Sequence, residues 1–108
     1  MTAKPPLALD EAQLAMVTAI LAKHVPQANV WVFGSRATGK AKKYSDLDLC
    51  IEASEPLGLD LMSALAEDFS ESDLPWKVDL VDWHSISEVF RAIIDRDKVL
   101  LWQPNCKA

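Results

Sequence analysis

Residues 29–52 read NVWVFGSRATGKAKKYSDLDLCIE. Asn29 to Phe33 is β-branched and aromatic and stops at Gly34, as a buried strand does. Asp46 to Glu52 alternates in character, which predicts a second strand. Between them Ser35 to Ser45 is polar and basic. In a strand successive side chains point to opposite faces, so Asp46 and Asp48 share one face. Leu47, Leu49 and Ile51 take the other face and point into a core. Two carboxylates held this close repel by about 2–4 kcal/mol at an intermediate dielectric. A divalent cation relieves that cost, and hard oxygen ligands suit magnesium. An isolated D-x-D also reads as two solvated aspartates. This one follows Gly34-Ser35, where the chain can turn sharply and a ligand can approach the main chain. Ser35 can open a short helical turn whose N–H groups and hydroxyl face phosphate oxygens.

The flanking sequence supplies the rest of an α/β or α+β domain. Asp10, with Gln13 for a capping box, predicts a helix to about Lys23. Leu14, Val17 and Leu21, with Met16 and Ile20, form its apolar side, and Pro26 ends it. His24 reads as a helix-end or surface histidine. Leu59 to about Ser70 predicts a helix with Leu61, Leu65 and Phe69 on one stripe. Trp76 to Asp82 (WKVDLVD) predicts a third strand. Ser85 and Glu88 predict a capped helix to about Arg96, with Val89, Phe90, Ile93 and Ile94 inward. Lys98 to Trp102 predicts a short closing strand. Residues 1–6 read as a loose lead.

Gly34-Ser35, ten intervening residues, then Asp46-x-Asp48 make a combined pattern. It resembles the signature of the DNA polymerase β-like nucleotidyltransferase superfamily. More narrowly, Gly34-Ser35-Arg36-Ala37, Gly39 and Ser45-Asp46-Leu47-Asp48-Leu49 resemble the minimal nucleotidyltransferases, the MNT type. The likeness extends to VDLVD and VLLW. It implies a small mixed β-sheet with helices packed on one face. It also implies a third carboxylate on the third strand, where Asp79 and Asp82 compete. By parity Asp82 shares a face with Val78 and Leu80, and Asp79 takes the other. The family's pattern matches Val78-Asp79, so Asp79 is assigned. Asp46, Asp48 and Asp79 are then the expected catalytic and metal residues, for two magnesium ions. Gly34, Ser35 and Arg36 are the expected nucleotide-binding residues. ATP as substrate rests on the resemblance. Lys40, Lys42 and Lys43 read as phosphate or partner contacts or as a solvated run. Tyr44 and the four tryptophans read first as packing residues.

The chain has 108 residues, 11 basic against 16 acidic, a net charge of −5. That suits one domain spanning residues 1–108 and disfavours generic nucleic-acid or anionic-lipid binding. Cys50 and Cys106 are too few and too far apart for a disulfide framework or a zinc site. With no signal peptide and no membrane span read, a cytoplasmic protein is expected. Larger members of the superfamily carry added domains that grip base and acceptor, and nothing of that kind fits after Trp102. The resemblance therefore implies a partner or a second copy to complete the site, in a homo- or hetero-oligomer. The partner it implies is a HEPN-domain RNase toxin, and the function an antitoxin that transfers AMP to a tyrosine hydroxyl of that toxin. The rivals are a non-catalytic antitoxin that sequesters the toxin, and a small-molecule nucleotidyltransferase.

Overall fold

The computed structural model describes residues 9–40, 42 and 45–103. Residues 1–6, Lys43, Tyr44 and Cys106, on which expectations were placed, lie outside the described residues. Helix α1 spans Glu11–His24 and opens with the expected capping box of Asp10 and Gln13. Strand β1 is Asn29–Phe33, α2 is Ser35–Thr38, β2 is Leu47–Glu52 and α3 is Leu59–Ser70. Strand β3 is Val78–Asp82, α4 is Glu88–Asp97 and β4 is Val99–Trp102. The sheet order is β3-β2-β1-β4. β1 runs antiparallel to β2 and β4, and β2 runs parallel to β3, so the sheet is mixed as expected.

Period-two alternation divides the sheet's side chains between two cores. Val30, Val32, Leu47, Leu49 and Ile51 are fully buried on one face, against Val17 and Leu21 of α1 and Leu65 and Phe69 of α3. His24 Nε2 meets Asp68 Oδ2 at 2.6 Å and ties α1 to α3. The other face carries Trp31, Phe33, Cys50 and Val81, and these pack against Phe90 and Ile94. Helix α4 therefore covers the opposite face, which corrects the expectation of helices on one face only. The fold class stands, with helices on both sides of the sheet.

The start of α4 needs a second correction. Asp82 caps a 3-10 turn, Trp83–Ser85, by accepting from His84 N–H. That turn consumes Ser85, so the cap of α4 is Ser87, which accepts from Phe90 N–H. Phe90 and Ile94 face inward as expected. Val89 is 73 % exposed and Ile93 is also exposed, contrary to expectation.

Candidate active site

Three strands bring the polar site residues into one row. Phe33, the last residue of β1, pairs with Asp48 of β2. Asp48 pairs in turn with Asp79 of β3. The parallel register puts Asp48 and Asp79 side by side on the same face, and Gly34 follows Phe33 at the end of the row. Asp46 lies just before β2 and is exposed.

Gly34 has φ +76°, a backbone that L side chains rarely adopt. A Cβ built there would collide with Asp48 Oδ2. The glycine is thus required twice, by its dihedral and by the carboxylate against it. Ala37 and Thr38 N–H groups return to the Gly34 carbonyl. The N–H group of Ser35 precedes them, and the first N–H group of a helix has no acceptor within it. Gly39, in the left-handed region, closes α2.

Arg36 was expected at the phosphates. It is 2 % exposed instead. Its Nε and one terminal nitrogen donate to the Ser45 carbonyl at 3.1 and 2.8 Å. Its guanidinium lies 4.4 Å from the centre of the Trp76 ring. Burial holds the guanidinium below its ordinary pKa, while the charge of Asp46 works the other way. Arg36 thus braces the residue before Asp46 and is not presented to solvent. A residue on a helix one turn long points about 100° away from its neighbour, so adjacency to Ser35 did not put Arg36 on the same side. Lys40 and Lys42 are exposed.

Asp48 is the perturbed group. Burial, then the charge and hydrogen bond of Asp79, then the charge of Asp46, push its carboxyl up to about 6. An acid whose folded pKa exceeds its unfolded value, about 3.9, holds its proton more tightly when folded. Its stabilising effect is complete below the unfolded value and lost as pH rises through about 6. In chelator, the protein is expected to lose up to about 3 kcal/mol of unfolding free energy between about pH 4 and pH 7, relative to Asp48→Asn. Denaturant titrations across that range check this, and parallel curves for the two proteins would refute it.

The donor set fits a hard divalent cation in kind: carboxylate oxygens with excess negative charge. Among the described residues no three acidic, histidine or cysteine side chains are gathered into a metal-holding cluster. Asp48 and Asp79 pair directly, and Asp46, just before β2, acts on Asp48 through its charge.

Asp82 lies on the face away from Asp79, as parity predicts, and is buried. Its carboxylate accepts from Leu57 N–H at 2.9 Å, His84 N–H at 3.1 Å and the Ser85 hydroxyl at 3.3 Å. It is occupied in holding the loops after β2 and β3. Asp79→Asn is expected to remove catalysis and, by relieving the charge set against Asp48, to leave the metal-free protein at least as stable near neutral pH. Asp82→Asn is expected to cost about 1–3 kcal/mol of stability, with transfer retained in the folded fraction. Urea midpoints and labelled-nucleotide assays on both variants test the pair; the reverse pattern would exchange the two roles.

A cleft of about 480 Å³ opens beside Asp46, between the end of α3 and the start of β3. Among the described residues no helix is long and apolar enough to cross a membrane.

Comparison with known proteins shows the family and the fold. The sequence model of the family described as Polymerase beta, Nucleotidyltransferase matches residues 16–106. A Haemophilus influenzae protein named probable protein adenylyltransferase MntA is 52 % identical over 101 residues, covering 94 % of this chain and 89 % of the relative. A crystal structure of a toxin–antitoxin with AMP-PNP contains a chain that is 27 % identical, with a TM-score of 0.72, over 83 % of this chain and 73 % of that one. The complex of a tri-AMPylated Shewanella oneidensis HEPN toxin with MNT antitoxin matches at 24 % identity and a TM-score of 0.63, over 85 % of this chain and 71 % of that one. The last shows likeness of fold alone.

Proposed function

The chain belongs to the polymerase β nucleotidyltransferase family, and from that premise we propose that it is a protein adenylyltransferase and an antitoxin. It moves AMP from ATP onto a tyrosine hydroxyl of a HEPN-domain RNase toxin. The observation that carries the reading is the row Gly34, Asp48, Asp79, in which a turn open only to glycine abuts a crowded pair of carboxylates.

Gly34 and Ser35 take the triphosphate on the main chain and hydroxyl of the turn. Asp48 and Asp79, with Asp46 completing the set, would hold magnesium. When bound, magnesium supplies positive charge to the triphosphate and lowers the pKa of the attacking hydroxyl. Asp79 stands on the acceptor side and takes up the hydroxyl proton or orients the hydroxyl. The acceptor oxygen forms a bond to the α-phosphorus as the bond to the bridging oxygen breaks, and pyrophosphate leaves. The rest of catalysis is positioning and charge stabilisation. Arg36 acts on position, through Ser45 and the start of β2. AMP on the toxin adds bulk and negative charge where an RNase must bind an anionic backbone.

The test is co-expression of the toxin with wild type and with a variant carrying Asp46→Asn, Asp48→Asn and Asp79→Asn. Wild type is expected to restore growth and raise the toxin's mass by whole AMP groups, and the triple variant to do neither. Growth rescue by the triple variant, with toxin of unmodified mass, would leave sequestration as the mechanism.

A further inference from the structure

We infer that Trp76 is a positioning residue for the transfer reaction: together with Lys77 it clamps the chain on both sides of Asp46 and so fixes that carboxylate at the metal site. The inference rests on the adenylyl-transfer reading, with Asp46 in the metal set, and adds what holds Asp46 in place.

Asp48 and Asp79 are located by the strand ladder, residue against residue. Asp46 precedes β2, is exposed, and lies outside the paired residues of that strand. A metal ligand has to be held close to its productive geometry, so Asp46 needs a support other than the sheet. Its two chain neighbours show one. On one side, Leu47 N–H donates to the Lys77 carbonyl at 2.9 Å. On the other, the Ser45 carbonyl accepts from Arg36 Nε and a terminal nitrogen at 3.1 and 2.8 Å. The Arg36 guanidinium in turn lies over the Trp76 ring, 4.4 Å from its centre. Both tethers end in adjacent residues, Trp76 and Lys77. That segment is itself tied down. The ring of Pro75 fixes its own φ, Trp76 is buried in the core with Leu65 and Phe69, and Val78 begins β3.

The Trp76 ring supplies more than bulk. A guanidinium buried as deeply as that of Arg36 has lost its water and keeps its place only while its charge is answered. The indole face answers part of it, since attraction between a cation and a ring is strongest for tryptophan and in desolvated sites. The planar fork of arginine lets one group lie on a ring and donate twice to one carbonyl. An aliphatic side chain at position 76 fills space but leaves the guanidinium face unanswered. Arg36 is then drawn toward water, Ser45 is released, and Asp46 keeps one tether of two.

Trp76→Leu removes the ring, Trp76→Phe keeps one, and Arg36→Lys keeps the charge but loses the fork. Phe69→Leu removes a ring from the same core, but not the one under Arg36. Binding of manganese alone is measured by electron paramagnetic resonance, well below the melting temperature of every variant. AMP transfer to the HEPN-domain toxin is followed by intact mass over a range of magnesium concentrations. Trp76→Leu and Arg36→Lys are expected to weaken manganese binding roughly tenfold to a hundredfold, because groups that orient a metal ligand count on that scale. The magnesium needed for half-maximal transfer is expected to rise in proportion. Trp76→Phe is expected to recover most of the loss. Phe69→Leu is expected to melt lower and to bind manganese as wild type does. Arg36→Lys carries the test where Trp76→Leu does not fold. Wild-type manganese affinity in the folded Trp76→Leu and Arg36→Lys proteins overturns the inference. An equal loss in Phe69→Leu overturns it too, since any loosening of this core would then suffice. Wild type that binds manganese but transfers no AMP overturns the adenylyl-transfer reading, and this inference with it.

Discussion

Asp48→Asn is expected to lower AMP transfer by a thousandfold or more, about 4 kcal/mol of transition-state stabilisation, while making the metal-free protein more stable near neutral pH. The two effects have one source. Asp48 is drawn out of water and set against Asp79, with Asp46 adding charge. That arrangement favours a bound cation and penalises its absence. Asparagine keeps the shape, can donate to Asp79, and ends the repulsion. Asp46→Asn is expected to lose transfer as well but to gain little stability, because Asp46 is exposed. Labelled-ATP assays and urea midpoints in chelator separate the effects. Full transfer by either variant would sink the carboxylate assignment, and an unchanged midpoint for Asp48→Asn would sink the account of crowding.

The second large effect belongs to Gly34. Valine there must adopt φ near +76°, which is a genuine outlier for a β-branched residue. Its Cβ must also displace the Asp48 carboxylate. A loss of about 2–4 kcal/mol in stability is expected from strain and clash together, with nucleotide binding lost as the turn shifts. Gly39 is the internal comparison. It shares the positive φ, but a Cβ added there meets nothing within 4 Å. Gly39→Ala is therefore expected to cost only about 1 kcal/mol and to keep transfer. Calorimetry with a non-hydrolysable ATP analogue and urea melts on the three proteins decide the matter. Equal behaviour of Gly34→Val and Gly39→Ala would mean that contact with Asp48 is unimportant.

Much of this was readable along the chain because it is written in local periodicity. The strand NVWVF and the helix from Leu59 to Ser70 have the bounds that their patterns predicted. Parity alone set Asp79 and Asp82 on opposite faces. What escaped depends on contacts distant in sequence. Ser85 looked like a cap, but Asp82 had already turned the chain into a 3-10 turn. The apolar residues of α4 were too widely spread to say which would be buried, and nothing local names the face of the sheet a helix will cover. The signal available was on the sheet itself: Trp31, Phe33 and Cys50 are apolar on the face opposite Val30 and Leu49, and needed a cover. The burial of the Arg36 side chain was not legible because its packing partner, Trp76, is forty residues away.

The pairing of Asp48 with Asp79 across a parallel ladder has a kinetic consequence. Antiparallel β1 and β2 are joined by a short connection, but β2 and β3 meet only after α3 has been laid down between them. Pairings that close long loops form late, since loop entropy is spent before contacts return it. A slip of one residue would turn Asp79 to the α1 and α3 side and bring Val78 or Leu80 beside Asp48. During refolding, recovery of transfer should therefore lag behind recovery of helical signal and report on the moment when β3 finds its register.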